Sequence, residues 1–161
     1  MFLSLFERNH ESVEAARCAA RAKTQAPKSA TQAESGNYPK GKFWWNAFEV
    51  AIETPKGGVR RDWAHDPPEW ESLMVVDYGY LRRTESEADG DHIDVFIGPN
   101  LNSQVVFIID QTHNGRGFDE HKAMIGFDTE KEAKDAYRKS YSSGWKGMGD
   151  VVAVTSTQFR K

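Results

Sequence analysis

Apolar and polar positions divide this chain into parts of unlike character. Residues 9 to 23 place Val13, Ala16 and Ala20 among further alanines, which predicts a helix with a small, weakly apolar face. Such a face suits a peripheral or partner-bound helix. Residues 24 to 37 carry Thr, Gln, Ser, Pro, Gly and Asn and almost nothing to bury, so they read as a linker, extended or held by a partner chain. From about Gly41 the pattern changes to short runs of strand formers, and a division into an arm, 1–40, and a folded domain, 41–161, is expected.

Phe43-Trp44-Trp45 and the run 48 to 53 read as strands, and Pro55 with Gly57-Gly58 marks a turn into a return strand at Val59-Arg60-Arg61. His65-Asp66-Pro67-Pro68 reads as a loop, and residues 73 to 81 as one strand. Residues 93 to 97 and 104 to 110 follow, the second apolar enough to be buried on both faces. A turn at residues 113 to 117 should fold residues 122 to 127 back on that strand as a hairpin. Asp128 or Thr129 can cap a helix reaching about Tyr141, and residues 151 to 155 give a last strand. Many short strands with one clear helix predict a mainly β protein, a small OB-like antiparallel barrel with one or two flanking helices.

Composition narrows the partners. The chain has 161 residues, enough for one domain with a proper core, and a formal net charge of −3. No basic excess points to nucleic acid. The single cysteine, Cys18, excludes an internal disulfide and fits a reducing compartment. The apolar start is cut short at Glu7-Arg8, and no run approaches membrane-spanning length, so a soluble, cytoplasmic protein is expected.

The chemistry concentrates in Asp89-Gly90-Asp91-His92-Ile93-Asp94, where three carboxylates fall within six residues. Like charges so close raise one another's pKa values, and a hard divalent cation such as Mg2+, which prefers oxygen ligands, relieves the conflict. The plain alternative is an acidic loop in solvent. An EF-hand is excluded, because Gly90 occupies the second loop position and no glutamate closes the loop. His92 and His121 lack the companions of a zinc site.

Upstream stands Asp77-Tyr78-Gly79-Tyr80, and downstream Phe118-Asp119-Glu120-His121-Lys122. The Tyr-Gly-Tyr strand leading into Asp-Gly-Asp-x-x-Asp resembles the signature of the family I soluble inorganic pyrophosphatases. With His92 replacing the family's proline and the Phe-Asp-Glu-His-Lys run, the chain is closer to the pyrophosphatase-like domain of bacteriophage and mobile-element polyvalent proteins. The likeness covers roughly residues 36 to 158.

The resemblance implies a compact OB-like barrel that hydrolyses a phosphoanhydride with Mg2+. It assigns metal binding to Asp89 and Asp94 and the attacking water to Asp91. Asp110 falls where the family has a further metal ligand, and Glu53 resembles a glutamate near the metals. Residue type puts another ligand at Asp119, whereas gapless spacing puts it at Glu120. A bulge beside the site would favour Asp119. Tyr78, Lys122, Tyr137, Arg60 and Arg138 match phosphate-binding positions, the two arginines standing where the family carries lysine. A planar fork there replaces a point charge. The family's arginine upstream of Tyr-Gly-Tyr is missing, and Arg61 and Arg82 are the nearby substitutes.

Three functions stay open on these grounds. The first is Mg2+-dependent hydrolysis of inorganic pyrophosphate or a small phosphoanhydride. The second is a virion-associated phage module that keeps the fold without turnover and meets a protein partner through its arm. The third is an effector that cleaves a signalling nucleotide. The first places the protein in the cytoplasm, that of the host if phage-encoded.

Overall fold

The structure, a computed structural model, describes residues 5–84 and 92–159, with side chains described from residue 13 onward. Asp89 and Asp91 therefore lie outside the described residues. Helix α1 (Leu5–Lys23) leads to a short α2 (Ala30–Ser35), then β1 (Lys42–Trp45), β2 (Phe48–Thr54), β3 (Val59–Arg61), β4 (Glu71–Leu73) and β5 (Asp77–Leu81). After these come β6 (Ile93–Ile97), β7 (Val105–Thr112), β8 (Phe118–Ile125), α3 (Glu130–Lys139), β9 (Met148–Thr155) and α4 (Ser156–Phe159).

The mainly β class with flanking helices is as the sequence predicts. Seven strands form one sheet in the order β1-β2-β5-β6-β8-β7-β9, while β3 and β4 pair separately. The ladder runs from β1 to β9 without closing on itself among the described residues. All its pairs are antiparallel except β6 with β8.

Alternation along the strands gives the sheet two apolar faces. One carries Trp45, Val50, Ile52, Val95, Ile97 and Ile125, with Ala20, Val13 and Ala16 of α1 against them. The other carries Tyr78, Phe96, Phe107, Ile109 and Met124 beneath Ala133, Ala136 and Tyr137 of α3. Thr129 caps α3 by accepting the Glu132 N–H, as the sequence indicates.

Three expectations need correction. Residues 73 to 81 are not one strand: the chain breaks at Met74, whose N–H and C=O bond Gly58 and Gly57, so β4 serves β3 and β5 enters the main sheet. Within 24–37, Ala30–Ser35 is helical, capped by Ser29 and ended by Gly36 at φ 69°. Local capping there replaces the apolar anchoring that the composition lacks. Helix α1, expected at the periphery or on a partner, lies on its own domain. Arg17 donates to Gly98 O at 2.7 Å, and Arg21 clasps the buried Asp77 through Nε (2.9 Å) and Nη2 (2.8 Å). Gly41 is required at that junction, since a Cβ there would fall 1.8 Å from Ala20 O.

Candidate active site

On a strand, alternate residues share a face, and this rule sorts the acidic residues. Register aligns Tyr80 with Asp94, Asp94 with Lys122, Lys122 with Ile109, and Glu120 with Gln111. Tyr78, Tyr80, Asp94, Lys122, Glu120 and Gln111 therefore project from one face of β5, β6, β8 and β7. Gly79 between the tyrosines lets β2 approach, because a Cβ there would lie 1.8 Å from Ala51 O.

At the centre is Lys122, 3% exposed. Its ammonium reaches Asp94 Oδ2 at 2.6 Å, Tyr78 Oη at 2.9 Å and Glu120 Oε1 at 2.8 Å. Three oxygens thus match its three N–H donors. Tyr78 Oη donates in turn to Asp94 Oδ2 at 2.7 Å. Burial opposes the Lys122 charge, but Tyr78, Asp94 and Glu120 outweigh it and hold the pKa well above the ordinary value. Tyr78 is fully buried, and burial pushes its phenol up.

Arg60 of β3 lays its guanidinium over the Tyr78 ring, 4.0 Å from the centroid. Burial acts against its charge too, and Tyr78, Tyr141, Asp94 and Glu53 hold its pKa above the usual value. Glu53, near the end of β2, has its carboxyl pushed up by burial first and by Asp94 second. Glu53, Asp94 and Glu120, together with Tyr80 and His92, line a cavity of about 370 Å³. His92 stacks on Tyr80, with ring centroids 4.5 Å apart. The Thr84 hydroxyl accepts the Ile93 N–H at 2.9 Å, holding together the described chain on either side of residues 85–91.

The choice between Asp119 and Glu120 resolves into two positions. The β7–β8 register shifts between Gln111 and Thr112, leaving Asp119 bulged. Glu120 faces Lys122 and the cavity. Asp119 accepts from Gln111 Nε2 at 3.0 Å and stands 3.7 Å from His113 Nε2.

Asp110 does not converge with the rest. It pairs with His121 in register, one step out of phase with Lys122, so its side chain leaves the opposite sheet face and meets His121 Nδ1 at 2.8 Å. The next residue, Gln111, takes the inward place. Tyr137 is wholly buried, donating to Gln111 Oε1 at 2.8 Å and accepting from Trp145 Nε1 at 3.1 Å. Arg138 is exposed beside Asp135, 3.8 Å away. Sequence reasoning missed Tyr141, whose hydroxyl donates to Gln111 Oε1 at 2.7 Å and whose ring stacks on Trp145. Its spacing of four from Tyr137 was the available signal.

A second acidic group joins Asp62, His65 and Glu69, whose ligand atoms lie within 4.8 Å of one another. Asp62 accepts the N–H groups of Ala64 (2.9 Å) and Glu69 (3.1 Å) and meets His65 Nδ1 at 2.7 Å. Those bonds brace the loop between β3 and β4.

Fold and site together define a mainly β domain with a polar cavity walled by Glu53, Asp94 and Glu120 with Tyr80 and His92, beside the buried Lys122 and Tyr78. The family model for inorganic pyrophosphatase matches residues 30–161, and the chain belongs to that family. Searches of curated proteins and of solved structures returned no match. No helix among the described residues is long and apolar enough to cross a membrane.

Proposed function

We propose that the chain is a Mg2+-dependent hydrolase of inorganic pyrophosphate. The observation that carries this reading is the Asp94–Lys122–Tyr78 cluster beside the cavity that Asp94 lines with Glu120 and Glu53. The donor set has the chemistry Mg2+ prefers, the carboxylate oxygens of Glu53, Asp94 and Glu120 round one cavity. Glu53, Asp94 and Glu120, with Asp89 from the acidic hexapeptide, would hold the ion; Asp110 is left out. Bound there, Mg2+ supplies charge neutralisation and a water of lowered pKa.

The protein's own groups do the rest. Arg60 offers the phosphate oxygens a planar fork, while Lys122, whose three N–H groups are taken by Asp94, Tyr78 and Glu120, acts on them through its charge. Because Tyr78 and Asp94 hold the ammonium in place before substrate arrives, little reorganisation is needed as charge develops. Asp91 takes the proton of the attacking water. Water adds across the P–O–P bridge and two phosphates leave, with no redox change.

Phosphate release against Mg2+ concentration tests the assignment on the parent, Asp91→Asn and Asp94→Asn. Loss of the base should cost about 10²- to 10⁴-fold at every metal concentration. Asp94→Asn should regain part of its rate at high Mg2+. Equal rates for all three at saturating metal would refute these roles.

A further inference from the structure

Pyrophosphate needs only the carboxylate-lined cavity, yet a second cavity of about 450 Å³ adjoins it and shares Glu53 as a wall. Its other principal walls are Tyr38, Trp63, Trp70, Arg60 and Arg61. Three aromatic rings round one opening are unusual for a site that handles only phosphate, since aromatic surface left facing water forgoes the stabilisation of burial. Trp70 is 42% exposed.

The tryptophans are held in place. They flank the loop that Asp62, itself 8% exposed, braces through the N–H groups of Ala64 and Glu69. The backbone closes the same loop where Asp62 N–H bonds Trp70 O at 3.0 Å. Arg61 lies over the Trp63 ring, 4.2 Å from its centroid. Arg60 lines the second cavity and reaches toward the first site, with its guanidinium 4.0 Å from the Tyr78 centroid and 5.7 Å from that of Trp70. Ala26, Pro27 and Ala33 of the N-terminal segment line the same cavity.

An aromatic ring tethered to a diphosphate matches that layout. We infer that the second cavity receives the base of a nucleoside diphosphate whose phosphates occupy the cavity lined by Glu53, Asp94 and Glu120, with Trp63 and Trp70 as the stacking surfaces. The volume lies within the range of small-molecule sites, and stacking on aromatic side chains is tolerant of base identity because every base has a π-face. The inference rests on the hydrolase reading above and names its substrate class. In the reaction, the oxygen of water attacks the terminal phosphorus and the bridging P–O bond to it breaks. Nucleoside monophosphate and inorganic phosphate leave, and the proton of water goes to Asp91.

The test uses the full chain with Mg2+ and compares the parent with Trp63→Leu and Trp70→Leu. KM and kcat are measured for pyrophosphate and for adenosine 5′-diphosphate, and diphosphate binding by calorimetry. The parent should convert adenosine diphosphate to monophosphate and phosphate. Each variant should raise KM for the nucleotide about tenfold, the scale of one lost stacking contact, with pyrophosphate values unchanged within about twofold. Unchanged pyrophosphate turnover also shows that the variants are folded. Turnover of pyrophosphate without binding of the nucleotide would overturn the inference and leave the hydrolase reading standing. Equal effects of the substitutions on both substrates would overturn it as well. If neither compound is hydrolysed, nucleotide binding that weakens in both variants upholds the cavity assignment and locates the failure in the hydrolase reading; no binding ends it.

Discussion

Replacing Lys122 with Met isolates the charge at the centre of the site. The side chain keeps similar length and apolar contacts but loses an ammonium bonded to Asp94, Tyr78 and Glu120. Removing one member of a buried ion pair costs about 3–5 kcal/mol, because the partner charge is stranded. Here the stranded carboxylates are not fully buried: Asp94 keeps 25% and Glu120 36% side-chain exposure, so water recovers part of their solvation. A cost of about 2–3 kcal/mol is the reasonable expectation. For a domain of this size each kcal/mol moves the Tm by about 2–4 °C, so the variant should melt about 4–12 °C lower in chelator. Mg2+ should then raise its Tm more than that of the parent, since a cation returned to the same carboxylates replaces the one removed. At a hundred times its Kd, a ligand that binds only the folded state contributes about 2.7 kcal/mol. Phosphate release should fall by about 10²- to 10³-fold, the usual cost of losing one preorganised donor. Thermal melts with chelator and across a Mg2+ series provide the assay. A variant melting within a degree or so of the parent, or an identical Mg2+ response in both, would refute the argument that Lys122 balances these carboxylates.

Two further outcomes follow from the buried ion pairs. Arg17→Met with Arg21→Gln should leave Asp77, whose side chain is 0% exposed, with the Lys56 N–H at 2.7 Å as its hydrogen-bond donor among the described residues, and should lower stability by about 3–5 kcal/mol. Deleting residues 1–35 should cost at least as much, and coincident urea midpoints would refute the tie. The pKa of His65 is raised by its hydrogen bond to Asp62, then by the Asp62 and Glu69 charges. Its contribution to stability is therefore present below the ordinary imidazole value and lost as pH rises through the raised one. It also fades at low pH, as Asp62, whose pKa is lowered, becomes protonated. The Tm advantage of the parent over His65→Gln should be larger near pH 5.5 than near pH 8.5; a flat difference would rule out the ionic contact.

Local pattern carried much of this protein, because strand and helix signals depend on near neighbours. The apolar runs of β2, β6 and β7 and the cap at Thr129 were legible without any tertiary context. So were the motifs that hold Tyr78, Asp94 and Lys122, whereas between Asp119 and Glu120 the sequence left both open and leaned to Asp119. Partner choice was not legible. Residues 73 to 81 read as one strand, and the bonds of Met74 to Gly57 and Gly58 divide them between two sheets. Asp110 and Gln111 differ by one position, and which of them faces Lys122 depends on the register with β8, a long-range quantity that residue type does not encode. The arm shows the same division. Its composition offers little to bury, but Arg17 and Arg21 find Gly98 and Asp77, and a buried charge 56 positions away along the chain holds the helix where apolar surface would not.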